Sequence, residues 1–184
     1  MKIVKKFGTL GMSALAIMAG ASTLMAADAS TQGLRGQLQE SDYKFVTDTT
    51  RGGTTEVQLG ELAKQKAVSP AVKSFGERMV TDHSKANEEL QQIVTRKGAT
   101  PPTSLSHKEN SELEKLQKLS VKDFDKAYAD LMVKDHKKDV KEFQDAIKDL
   151  KDPDLRAFAQ KTLGTLEQHY GMAKQMQETV KNEK

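Results

Sequence analysis

The chain has 184 residues, with 29 lysines and arginines, 26 aspartates and glutamates, and no cysteine. The missing cysteine excludes disulfides, iron–sulfur clusters, thiolate zinc sites and covalently attached c-type haem. Lys2, Lys5 and Lys6 account for the whole formal charge of +3, so the sequence after residue 27 is neutral with both signs mixed. No basic stripe remains that could hold nucleic acid.

Residues 1–27 read as a secretory signal peptide. The three lysines form its basic start, Leu10 to Met25 its apolar stretch, and Ala26, Ala27 and Ala29 its small-residue cleavage points. A membrane anchor is the competing reading. Against it stand an apolar stretch of 16 residues, where a spanning helix needs about 20, and the polar Asp28 and Ser30 that follow. With no cysteine near the cut, a lipoprotein anchor is excluded. The expected product is periplasmic or otherwise exported, open to envelope association, with no membrane-spanning segment left after cleavage. The absence of a free thiol is compatible with an oxidising compartment.

Residues 28–40 are polar with two glycines and are expected to be a flexible lead-in to a domain over residues 41–182. A first helix is predicted from Ser41 or Asp42 to about Ala67, with the stripe Phe45, Thr49, Gly52, Glu56, Leu59, Ala63 at steps of three and four. Gly52-Gly53 inside it implies either close approach of a neighbour or a kink. Ser69-Pro70 starts a second helix, with serine as N-cap and proline at the first helical position. It runs to about Lys97, before Gly98, and its stripe passes through Val72, Phe75, Met79, His83, Ala86, Leu90 and Ile93.

The segment Gly98 to Thr103 breaks the helix. Ser106-x-x-Glu109 is a capping-box pattern and predicts a short helix over 107–118. Ser120-x-x-Asp123 opens the next long helix, with the stripe Phe124, Tyr128, Met132, His136, Val140, Phe143, Ile147, Leu150. Asp152-Pro153 opens the last, which runs to about Val180 with the stripe Leu155, Phe158, Thr162, Leu166, His169, Ala173, Met176, Val180.

Four helices of some 26–30 residues, each about 40 Å long at 1.5 Å per residue, carry single apolar stripes and predict an all-α four-helix bundle. Links of two or three residues make the first and last pairs antiparallel hairpins. The connection of about 20 residues between the second and third long helices, with its short extra helix, could cross the bundle's length as in ferritin-like folds; up-and-down topology is the alternative.

The sequence M-V-x-D-H-x-K occurs twice, at Met79–Lys85 and Met132–Lys138. His83 and His136 fall at mid-length of their helices and on the apolar stripes, as do His169 and Glu56 on the other two. Four inward polar groups at one height should converge. Burying them costs several kcal/mol unless they are paired. A metal is one solution, and three imidazoles with a carboxylate suit copper, iron or zinc. Asp82 and Asp135 at the edge of the stripe, and Met79 and Met132 one turn before each histidine, are candidate supporting groups, thioether favouring copper(I). The alternative is a hydrogen-bonded Glu/His network without metal.

These signals resemble the exported bacterial family called domain of unknown function 4142, often labelled putative outer membrane protein and grouped with ferritin-like bundles. The resemblance rests on Glu56-Val57-x-Leu59-Gly60-x-Leu62-Ala63, Val72-Lys73-x-Phe75, Met79-Val80-x-Asp82-His83, Asn87, Leu90, Gly98 and Pro102. It continues through Phe124-Asp125-x-x-Tyr128, Asp135-His136, Phe158-Ala159 and Leu166-x-x-His169, covering about residues 42–176. It implies a ferritin-like fold and no stated activity. Di-iron bundles place Glu-x-x-His on two helices. Here Val80 and Leu166 stand where those glutamates should be, so di-iron chemistry is not expected and no catalytic residue is assigned. The expected protein is a non-enzymatic exported bundle holding a transition metal through Glu56, His83, His136 and His169. Its alternative is a structural or interaction protein of the envelope. A b-type haem protein would need more small residues on the stripes than Gly52, Gly60, Ala63 and Ala86.

Overall fold

The computed structural model describes residues 33–183; the expected signal peptide and the start of the lead-in lie outside the described residues. Among the described residues the chain is all-helical. Helix α1 spans Glu40–Lys66, α2 Pro70–Arg96, α3 His107–Lys118, α4 Val121–Asp149 and α5 Pro153–Asn182. Each boundary falls within two residues of the sequence expectation, because the stop signals are local. Ser106 and Glu109 form the reciprocal capping box, the Ser106 N–H donating to Glu109 Oε2 at 2.6 Å. Asp152 Oδ1 accepts the N–H groups of Asp154 and Leu155. Gly98 closes α2 with a left-handed φ of +68°.

Ser69 departs from expectation. It occupies the N-cap position of α2, but its side chain makes no capping bond and its hydroxyl is buried without a partner. The link's own N–H groups are taken instead by Asp125 in α4, which accepts from Ser69 at 2.7 Å and from Val68 at 3.1 Å. At the other end Asp42 in α1 accepts from Lys151 at 3.1 Å and Asp152 at 2.7 Å.

These bonds give the helices their directions. The start of α1 lies with the α4–α5 link, and the start of α4 lies with the α1–α2 link. Lys97, just past α2, pairs with Asp152 and Asp154 at the start of α5, so α2 ends at the far end from where α4 begins. Residues 97–120 therefore run the length of the molecule, and Lys66 Nζ bonding to the Gln117 carbonyl places the end of α3 beside the end of α1. α3 touches both α1 and α4 and lies along the seam between them.

The apolar interior falls into two clusters. One gathers Leu59, Val72, Phe75, Met79, Phe124, Tyr128, Met132 and Met176 near the α1–α2 link. The other gathers Val46, Leu90, Val94, Phe143, Leu155, Phe158 and Leu166 near the α4–α5 link. Glu56, His83, His136 and His169 are the buried ionisable residues at the height between them, with Thr55 beside Glu56.

The start of α1 corrects the predicted stripe. Its buried line is Asp42, Val46 and Gly53, while Phe45, Thr49 and Gly52 are only half-buried. There α1 and α4 stand apart, joined across the gap by Phe45 edge-on to Phe143, with centroids 5.3 Å apart. The tight contact of α1 is with α2, where Gly60 and Gly76 meet backbone to backbone and Gly53 faces the Asn87 side chain. Close approach, rather than a kink, explains Gly53. The last residues of the expected lead-in are also held. Gln37 N–H donates to the Lys97 carbonyl, Thr100 N–H donates to the Leu34 carbonyl, and Leu38 is buried. Among the described residues no helix is long and apolar enough to cross a membrane.

Candidate metal centre

His83 on α2, His136 on α4 and His169 on α5 meet in the middle of the molecule. Their ring centroids are 5.4–5.9 Å apart. One ligating nitrogen of each lies within 4.8 Å of the other two. His136 and His169 are 0 % and 1 % exposed and His83 is 9 % exposed.

Hydrogen bonds outside the cluster fix two of the rings. His136 Nδ1–H donates to the Met132 carbonyl, one turn back, at 3.0 Å. His169 Nε2–H donates to Asp82 Oδ2 at 2.8 Å, and Asp82 also accepts from Arg78 Nε at 2.5 Å. A neutral imidazole that donates through one nitrogen keeps a lone pair on the other. Those nitrogens, Nε2 of His136 and Nδ1 of His169, are buried and unpartnered, and so is Nε2 of His83. Two sequestered acceptors face one imidazole whose tautomer no bond fixes, so at most one N–H serves both, and a lone pair still forfeits the bond it had in water. The three rings make a good site for a cation. A carboxylate or carbonyl behind the imidazole is the usual support of a metal-ligating histidine.

Electrostatics agree. Burial, then the neighbouring imidazoles, holds His83 down to about 3. Burial and His169 hold His136 down to about 4. Burial also lowers His169, against the opposing hydrogen bond from Asp82. Burial pushes the Asp82 carboxyl up, but hydrogen bonds from His169 and Arg78 outweigh it and leave it below the ordinary range. The rings are thus neutral, the state a metal requires.

Of the other expected residues, Asp82 and Met132 bond to the rings as described. Glu56 is buried with Oε2 unpartnered, but it is not one of the three groups that come within 4.8 Å of one another. Burial first, then Asp139, Asp135 and Glu112, raise its carboxyl well above the usual range. Its other neighbour is Tyr128, whose hydroxyl is likewise buried, unpartnered and raised. Asp135 is raised by burial and by Glu112. Met79 and Met132 are fully buried in the apolar cluster below the histidines, and Met132 supports His136 through its carbonyl. Arg78, Asp42 and Asp125 carried no expectation. The i,i+4 spacing of Arg78 and Asp82 was the available signal for the first. For the other two, an acid in the opening turns of a helix reads as an ordinary N-terminal charge.

A helical protein centred on a buried three-histidine cluster is the class that this fold and geometry define. The chain belongs to the family described as Domain of unknown function (DUF4142), which matches residues 27–176. It is also similar in fold to the crystal structure of a DUF305 fragment from Deinococcus radiodurans. The TM-score is 0.67 over 79 % of this chain and 98 % of that one, at 15 % identity. Comparison with curated proteins gave no match.

Proposed function

We propose that this protein is an exported four-helix bundle of ferritin-like type that binds one transition-metal ion through His83, His136 and His169. Three buried histidines, each with an unpartnered ring nitrogen and each offering a ligating nitrogen within 4.8 Å of the other two, carry the reading. Crossover topology is supported by the Asp42 and Asp125 bonds and by residues 97–120, α3 included, running the length of the molecule. Export is supported by Lys2, Lys5, Lys6 and the apolar Leu10–Met25.

Three nitrogen donors leave a fourth position open and suit zinc, copper or iron. Glu56 is outside the set of three whose ligating atoms are mutually within 4.8 Å and is not among the proposed ligands. Asp82 and the Met132 carbonyl orient His169 and His136, and the apolar clusters close the site above and below. No residue is assigned a catalytic role.

The test is elemental analysis of the untagged chain purified without chelators, followed by melting with added Zn²⁺, Cu²⁺ or Fe²⁺. One equivalent should bind and be lost in His83→Ala and His136→Ala. At a hundredfold excess over Kd, binding should stabilise the fold by about 2.7 kcal/mol. A wild-type chain that neither carries metal nor gains stability from any of the three ions would leave the cluster a metal-free polar layer of a structural protein.

A further inference from the structure

We propose that the cleft between α1 and α4 is the port through which a hydrated cation reaches the three-histidine cluster, with its acidic rim steering the ion inward. This rests on the metal reading above and adds the route and the sign of what enters. The cleft has a volume of about 630 Å³, room for roughly twenty waters at about 30 Å³ each. Of the three histidines His83 alone lines it, and His83 is also the most exposed of them, at 9 % against 0 % and 1 %. Its Nε2 is unpartnered. α3 lies against both α1 and α4 nearer the other end of the seam, so its first turn, through Glu109, closes one side of the opening.

The ionisable lining is mostly acidic: Asp48, Glu109, Asp139, Glu142, Asp145 and Asp149 against Lys44 and Lys138. Lys141 and Lys148 pair with Asp145 from outside the lining; counting them, and with Asp139 pushed up to about 7 by burial and so only partly ionised near neutrality, the lining still keeps a negative excess of between one and two charges. A narrow acidic mouth with low-dielectric walls raises the local concentration of cations and speeds their capture.

Gly52 supplies an independent sign. A glycine inside a helix costs about 1 kcal/mol against alanine. Its neighbour Gly53 needs to be small, because a Cβ there would meet Asn87 Oδ1 at 2.2 Å. A Cβ on Gly52 would meet nothing within 4 Å, and Gly52 lines the cleft one turn before Glu56. Packing does not require the missing side chain there, and a large one at this position would reach into the cleft.

The experiment follows Co²⁺ uptake by stopped flow, using ligand-field absorption, in the full chain. Gly52→Leu, which fills the cleft without touching a ligand, should slow association at least tenfold while leaving Kd within threefold of wild type. Ala86→Leu, on the α2 wall, should do the same and serves if the first variant fails to fold. Glu142→Gln with Asp149→Asn should slow uptake severalfold at low ionic strength and not at 0.5 M salt, where screening shortens to a few ångströms. Wild-type uptake rates in folded Gly52→Leu or Ala86→Leu, with Kd intact, overturn the port and leave the metal site standing. A wild-type chain that takes up neither Co²⁺ nor any of Zn²⁺, Cu²⁺ and Fe²⁺ overturns both.

Discussion

Asp42 and Asp125 perform the same task at opposite ends of the molecule. Each is a buried acid in the opening turns of its helix, and each accepts two backbone N–H groups from the link joining two other helices. Asp42 on α1 holds the α4–α5 link through Lys151 and Asp152; Asp125 on α4 holds the α1–α2 link through Val68 and Ser69. Both links are three residues long and cannot satisfy their own donors. Replacing either acid by alanine leaves two amides unmet, at about 1–3 kcal/mol for each buried one. We expect Asp42→Ala and Asp125→Ala each to lower Tm by roughly 5–15 °C, at about 2–4 °C per kcal/mol for this size. Thermal melts check this, and a change under 2 °C would show that water replaces the carboxylate at no cost.

The Asp82–His169 bond predicts a separable effect on metal affinity. Asp82→Asn keeps a hydrogen-bond acceptor for the imidazole but removes its charge. Affinity should fall about 10–100-fold with the fold intact, as competition with a chromogenic chelator would measure. Unchanged affinity would mean that the carboxylate gives His169 no basicity it uses.

The pH dependence of the metal-free chain contains two opposed sets of groups. His83 and His136 are held down to about 3 and 4. Their contribution is fully present above 6.5 and is lost as pH falls, because the unfolded chain takes up protons that the folded one refuses. Asp139 is pushed up to about 7, by burial above all, and Glu56 is raised too. Their contribution is present below the ordinary carboxylate range and is lost as pH rises towards 7. The sets overlap, so the wild-type profile should be flat where single variants are not. Asp139→Asn should gain on wild type as pH rises from about 4 to 7 and then level off. His83→Gln should gain on wild type as pH falls from 6.5 towards 3. Urea titrations across pH measure both, and a difference that does not vary with pH would show that the group is solvated in the folded chain.

Two glycines of α1 should respond with opposite signs. A Cβ on Gly60 would sit 2.6 Å from the Gly76 carbonyl oxygen and 2.9 Å from Val80 Cγ2. The backbone must move to admit it, and Gly60→Ala should destabilise by about 1–3 kcal/mol. Gly52→Ala meets nothing and should stabilise by about 1 kcal/mol. Paired chemical denaturation curves decide; Gly60→Ala at wild-type stability would mean that α1 and α2 are less tightly apposed.

The helices and their ends were legible because capping and proline signals act over three or four residues. The three histidines were legible as one layer because equal distance from a helix start means equal height whichever way the helix points. Stripe counting placed Phe45, Thr49 and Gly52 in the interior. Which face is covered depends on how far α4 stands from α1, and that distance is set by the other pairs. The burial of Glu56 at the height of the histidines was legible from the same count. The Asp42 and Asp125 bonds join residues 56 to 110 apart in sequence, beyond any local pattern.

The histidines come from α2, α4 and α5, and α1 brings none. An ion held by them would fasten three long helices into a tripod and leave α1 as a fourth leg, moored by its glycine contact with α2 and by Asp42 at its foot. Metal loading should therefore slow amide hydrogen exchange at mid-height of α2, α4 and α5 far more than in the first half of α1. The leg that borders the cleft would gain protection only through its glycine contact with α2.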